Sequence, residues 1–174
     1  MENNISRPQE KEVREEGENL KAFLTGKAIA LSEVNDGVFS SGMMGPGMAI
    51  LPESSILCAP ADGEIAALME DSRHAVGLKL KNGLELILHI GLDTVNMKGD
   101  GFTYLVKEGQ QVKAGDGLIQ FDREKIRKAG YRDVTICVIT NYTGEKPLVF
   151  LEGQQVTAGK TDLLPEALET GKGE

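Results

Sequence analysis

RHAVGLKLKNGLELILHIGLDTVNMKGDGF, Arg73 to Phe102, holds both histidines of the chain, His74 and His89, and two alternating apolar runs on either side of Asn82-Gly83. Ala75–Lys81 reads as one strand and Leu84–Ile90 as the next. Asn-Gly between alternating hydrophobics is the strongest short hairpin signal, because a type I′ turn needs positive φ at both central residues. A two-residue turn sets Lys81 opposite Leu84 and His89 opposite Val76. His74 then becomes the diagonal neighbour of His89 on one sheet face, with Cβ atoms roughly 7–8 Å apart. A three-residue loop would shift the register by one and send the histidines to opposite faces.

Two residues after His89 the chain runs Gly91-Leu92-Asp93-Thr94. A glycine there lets backbone approach a ligand, and a short polar turn offers N–H groups to an anion. Two imidazoles on one face beside such a turn suit phosphoryl transfer to histidine, or a metal. The plainer alternative is two core histidines stacked on a sheet.

The pattern outside this stretch is also β. AIALSEV, MAILP, SILCAPADG, GEIAALM, VTICVIT and LVFLE are short runs punctuated by Gly, Pro and Asp. Many short strands with regular turn signals predict an all-β fold, an antiparallel sandwich or barrel-like structure with short helical segments. One helix is predicted over Asp122–Ala129, with Asp122 as N-cap and Gly130 as its stop. EGQQVKAG at Glu108–Gly115 recurs as EGQQVTAG at Glu152–Gly159. Two copies imply approximate internal symmetry between β-turn-β units, and their glycines read as turn formers. Residues 1–24 are polar and charged and read as a disordered leader or linker, residues 25–164 as the domain, and 165–174 as a flexible tail.

The 174 residues are 40% hydrophobic and only 5% aromatic, so the core is built from Val, Ile, Leu, Met and Ala. A net charge of −8 argues against nonspecific nucleic-acid binding, which needs Lys and Arg, and favours steering of a basic protein partner. Cys58 and Cys137 each lie in an apolar run without a Cys-x-x-Cys, and no signal peptide opens the chain, so they read as free thiols of a cytoplasmic protein. No apolar run reaches the ~20 residues that span a bilayer.

HAVGL followed by HIGLDTVNMKGDGF resembles the active-site hairpin of the glucose-type (type 1) enzyme IIA domains of the bacterial phosphoenolpyruvate-dependent sugar phosphotransferase system. GVFSSGMMGPGMAILP, APADGEIAAL and VKEGQQVKAGDGLIQFD resemble the same family, in collinear order from Val38 to Leu163. The resemblance implies a phosphocarrier. His89 would accept a phosphoryl group from HPr and pass it to a cysteine of an enzyme IIB domain. His74 would bind the phosphoryl oxygens, and Ser72, where the family commonly has Thr, would orient its ring. Asp36 and Asp93 would flank the site and face arginines of HPr. Gly91 would provide space. Val38, Phe39, Met43, Met44 and Ile90 would form an apolar collar for partners. A domain of this kind binds no sugar directly and meets the membrane only through its permease.

Two other readings compete. A zinc held by His74, His89 and a carboxylate such as Asp93 is chemically sound, but a catalytic zinc takes three protein ligands and the chain has only two histidines. A ligand from a partner would complete such a site. APADGEI and VKEGQQVKAGDGLI also resemble hairpins of biotinyl and lipoyl carrier domains, but Lys98 is followed by Gly-Asp-Gly and not by the usual flank of that lysine. The Cys-Thr-Arg signature of enzyme IIB is absent around both cysteines, which leaves this chain the histidine step alone.

Overall fold

The computed structural model describes residues 19–165. Among them eleven strands form two antiparallel sheets. In chain order they are β1 (Gly26–Ala30), β2 (Gly47–Pro52), β3 (Ile56–Cys58), β4 (Gly63–Leu68), β5 (Ala75–Leu80), β6 (Glu85–Ile90), β7 (Phe102–Tyr104), β8 (Gln111–Val112), β9 (Gly117–Phe121), β10 (Thr135–Ile139) and β11 (Gln155–Val156). The large sheet has the order β11-β1-β2-β10-β6-β5-β4-β8, and the small one β3-β9-β7. The all-β sandwich expected from the sequence is the observed architecture.

The helix α1 (Arg123–Lys128) forms where it was expected. The Asp122 carboxylate accepts the N–H groups of Glu124 and Lys125, and Gly130 takes φ +90° just beyond the end. LVFLE does not form a strand. Its Leu151 N–H bonds the Leu163 carbonyl, Gly153 N–H just beyond it bonds the Ala28 carbonyl, and pairing in a ladder resumes only at β11.

The two EGQQV repeats occupy the two edges of the large sheet. β8 pairs with β4 through Gly63↔Val112, and β11 pairs with β1 through Gly26↔Val156. A Cβ on Gly159 would stand 3.4 Å from the Cα of Gly115, so the second glycines of the repeats meet and the sheet curls its two edges towards each other. Identical short edge strands thus serve equivalent positions, as internal symmetry requires.

The domain boundary expected at Leu24 falls earlier. Leu20, Ala22, Phe23 and Leu24 are fully buried in the main core, and Lys21 bridges to Asp162. The polar composition ahead of them hid a short apolar run that fills the core. The remainder of the expected leader, residues 1–18, and the tail beyond residue 165 lie outside the described residues.

Alternation in β6 decides what faces what. Leu86, Leu88 and Ile90 enter the main core between the sheets. Ile87 and His89 project from the other face of the large sheet. There a second cluster of Val34, Phe39, Ala49, Val134, Ile136 and Val138 packs, with Met44, Ile87 and Leu92 at its margin. The 34–46 loop lies over that face.

Candidate functional site

The hairpin register differs from the two-residue expectation. Leu80 N–H bonds the Leu84 carbonyl and His89 pairs with Ala75, so Lys81-Asn82-Gly83 is a three-residue loop. Gly83 has φ +95° but Asn82 is not left-handed, which rules out type I′ and fits a type I turn closed by a glycine bulge. Asn82 caps the turn by accepting Leu84 N–H at 3.0 Å.

In that register strict alternation would separate the histidines, yet their rings meet. The centroids are 4.6 Å apart at 89°, an edge-on contact. β5 begins at Ala75, so His74 stands one residue outside its alternation, immediately after Arg73 at φ +51°. The left-handed residue turns the chain and brings His74 back over the His89 face.

His74 is 2% exposed, and its Nδ1 lies 2.8 Å from the Ser72 hydroxyl. Ser72 is therefore placed to orient the ring. Burial first, then the neighbouring His89, pushes the His74 pKa down to about 4. His89 is partly exposed, and its ring packs against Phe39 at 5.1 Å. Burial also lowers its pKa, against the Gly91 backbone and the charges of Asp36 and Asp93, which raise it. Both imidazoles are thus neutral near pH 7. His89 Nδ1 is a buried nitrogen without a hydrogen-bond partner, which leaves Nε2 as the accessible nitrogen of the ring.

Asp36 is a loop buckle. Its carboxylate accepts N–H groups of Val38, Phe39 and Ser40 at 3.2, 3.1 and 2.9 Å. Burial works to raise its pKa, but these bonds outweigh it and hold the group below the usual carboxylate value. Asp93 is exposed at φ +63° on the rim. With Val38, Phe39, Leu92 and Val95 they surround His89 in a shallow depression of about 450 Å³.

Three expectations change. Ile90 is fully buried in the main core on the opposite sheet face, so it takes no part in the collar. Gly91 does not hold ligand space open: a Cβ there would come within 2.5 Å of Thr94 Cγ2 and 2.7 Å of the Arg132 carbonyl, and φ is +79°. The Gly91 and Leu92 N–H groups are not free for an anion either, because they bond the Val134 and Arg132 carbonyls. Val38 (55% exposed) and Met43 (86%) do project outward, while Phe39 is nearly buried and Met44 half-buried.

Some contributors carried no sequence signal. Thr94 is fully buried and its hydroxyl donates to the Ile90 carbonyl at 2.5 Å. Arg132 Nη1 donates to the Val34 carbonyl at 2.7 Å and ties the buckle loop to the sheet. Val95 is an exposed apolar rim residue whose side could be read only from the short 3-10 helix Thr94–Met97.

The two histidines offer two ligands to a metal. Among the described residues no group of three His, Cys, Asp or Glu side chains converges, so this donor set does not fit a resident catalytic zinc.

The family profile of the phosphoenolpyruvate-dependent sugar phosphotransferase system, EIIA 1, matches residues 18–144. The chain belongs to this family. It is a phosphotransferase component of that system. The glucose-specific EIIA component of Bacillus cereus is 44% identical over 147 residues, covering 84% of this chain and 88% of that protein. The β-glucoside-specific EIIBCA component of Bacillus subtilis is 45% identical over 124 residues, which are 71% of this chain and 20% of that protein. EIIA parts thus occur in one polypeptide with EIIB and EIIC parts, which supports a permease partner for an EIIA domain. Among solved structures, the glucose permease IIA from Mycoplasma capricolum superposes with a TM-score of 0.75 at 35% identity, covering 84% of this chain and 93% of that one. Among the described residues no helix is long and apolar enough to cross a membrane.

Proposed function

We propose that His89 accepts a phosphoryl group from HPr and hands it to a cysteine of an enzyme IIB domain. The observation that carries this assignment is the neutral His74–His89 pair, with Nε2 the open nitrogen of His89. A neutral imidazole is a competent nucleophile near pH 7. With the proton on Nδ1, the Nε2 lone pair forms the N–P bond as the bond to the donor breaks. The Gly91 backbone favours the protonated ring. In the second transfer the N–P bond breaks and the phosphoryl group passes to the thiolate.

Each neighbour has a task in this scheme. Ser72 fixes His74 through Nδ1, which points His74 Nε2 at the phosphoryl oxygens. Asp36 and Asp93 stabilise positive charge on His89 and repel the bound anion, which keeps it transferable. Catalysis is alignment and charge stabilisation, and no metal or cofactor is needed. Val38, Met43 and Met44 form the face on which HPr and IIB dock in turn, and methionine suits a surface that meets several partners. The transfer takes place in the cytoplasm, where the free thiols Cys58 and Cys137 persist.

Incubation with phosphoenolpyruvate, enzyme I and HPr, followed by intact mass in mild alkali, tests the scheme. One added phosphoryl group that disappears in His89→Gln is expected. Undiminished labelling of His89→Gln overturns the assignment.

A further inference from the structure

The Met69–Arg73 turn joins β4 to β5 and delivers Ser72 and His74 to the site. Neither sheet holds it: the β4–β5 ladder ends at Leu68↔Val76, and β5 begins at Ala75. Its own closure is the bond from Arg73 N–H to the Met69 carbonyl at 2.7 Å. Tyr104, on the small sheet, spans its mouth. The phenol accepts Met69 N–H at 2.8 Å and donates to the Ala75 carbonyl at 2.6 Å, with the Met69 carbonyl further away at 3.4 Å. Those backbone groups lie on either side of the segment that presents the histidine. From below, Arg73 Nη2 donates to the Gly99 carbonyl at 3.2 Å.

We propose that Tyr104 is a positioning residue for phosphoryl hand-over: its hydroxyl clamps both ends of the 69–75 turn and so sets the His74 ring edge-on to His89. It touches neither the phosphoryl group nor a partner, and the claim rests on the reading of His89 as the carrier. Two backbone bonds from one hydroxyl make the clamp specific, because phenylalanine keeps the ring and loses both. Without it the segment keeps the Arg73–Met69 and Arg73–Gly99 bonds and the Ile90 N–H on the His74 carbonyl, but loses the tie between its two ends. The Ser72–His74 bond and the 4.6 Å ring spacing then lose one of their anchors, with Ile90 N–H on the His74 carbonyl left as the other.

The experiment uses the full chain, loaded by phospho-HPr, and follows hand-over to a glucose-type IIB domain that the wild type serves. Tyr104→Phe is expected to slow hand-over on the order of tenfold, as loss of an orienting partner does, at unchanged half-saturating IIB. On a His74→Gln background the same substitution is expected to cost less than about twofold, since uncoupled residues behave additively and these two do not. A wild-type rate for Tyr104→Phe, or an equal slowing on both backgrounds, overturns the proposal. Failure of the wild type to load at all would overturn the His89 assignment instead. In that event the ¹⁵N signals of the His74 ring in unphosphorylated Tyr104→Phe decide: a changed Nδ1 hydrogen bond sustains the clamp, and unchanged signals overturn it.

Discussion

Acid should loosen this domain through His74 before it reaches most carboxylates. His74 is buried and neutral, with a folded pKa of about 4 against an ordinary value of 6.5. Between those values the unfolded chain binds a proton that the folded chain refuses, so stability is complete above pH 6.5 and falls as pH drops towards 4. The linkage amounts to about 2 kcal/mol at pH 5 and on the order of 3 kcal/mol by pH 4. Urea unfolding of wild type and His74→Gln at pH 7.5, 6, 5 and 4.5 isolates it. The variant starts less stable but lacks this titration, so the gap between the two is expected to narrow by about 2 kcal/mol from pH 7.5 to pH 5. A gap that stays constant within about 0.5 kcal/mol would refute a buried neutral His74.

Three further outcomes follow from the geometry. Gly91→Ala should destabilise by about 2–4 kcal/mol, from left-handed strain and the Thr94–Arg132 overlap, read as a fall in Tm of roughly 5–15 °C; a Tm within 2 °C of wild type would mean the turn yields freely. Asp36→Asn removes a charge that raises the His89 pKa, so the His89 titration measured by NMR should move down, and an upward move contradicts the buckle. Met43→Glu should raise KM for phospho-HPr with kcat and Tm unchanged, because the side chain is exposed and outside both cores; a lower kcat at constant KM would remove it from the docking face.

Much of this was legible in the sequence, because it rests on local chemistry. The sandwich follows from short alternating runs, α1 from the Asp122 cap, and the approximate internal symmetry from the repeated octamer, whose place at the sheet edges only the structure shows. Asn82-Gly83 forms a turn, as the sequence predicts, but within a three-residue loop and not as type I′. The choice between two- and three-residue loops lies in the φ of Asn82, which composition does not encode. The histidines meet nonetheless, because Arg73 adopts φ +51° outside the strand, a property of the assembled turn. Ile90 is expected in the collar only through the family resemblance, but one step along a strand from His89 is the opposite face. Tyr104 and Arg132 act from other elements across long sequence separations, and nothing local marks them.

The central claim is that Nε2 of His89, with His74 beside it, carries the phosphoryl group. Long-range ¹H–¹⁵N spectra of the ¹⁵N-histidine chain, recorded after phosphorylation through HPr, test it most directly. The expected result is a phosphoryl-shifted Nε2 on His89, with Nδ1 of that ring still protonated and the His74 ring unmodified. A phosphoryl group on Nδ1 of His89, or on either nitrogen of His74, would contradict the account.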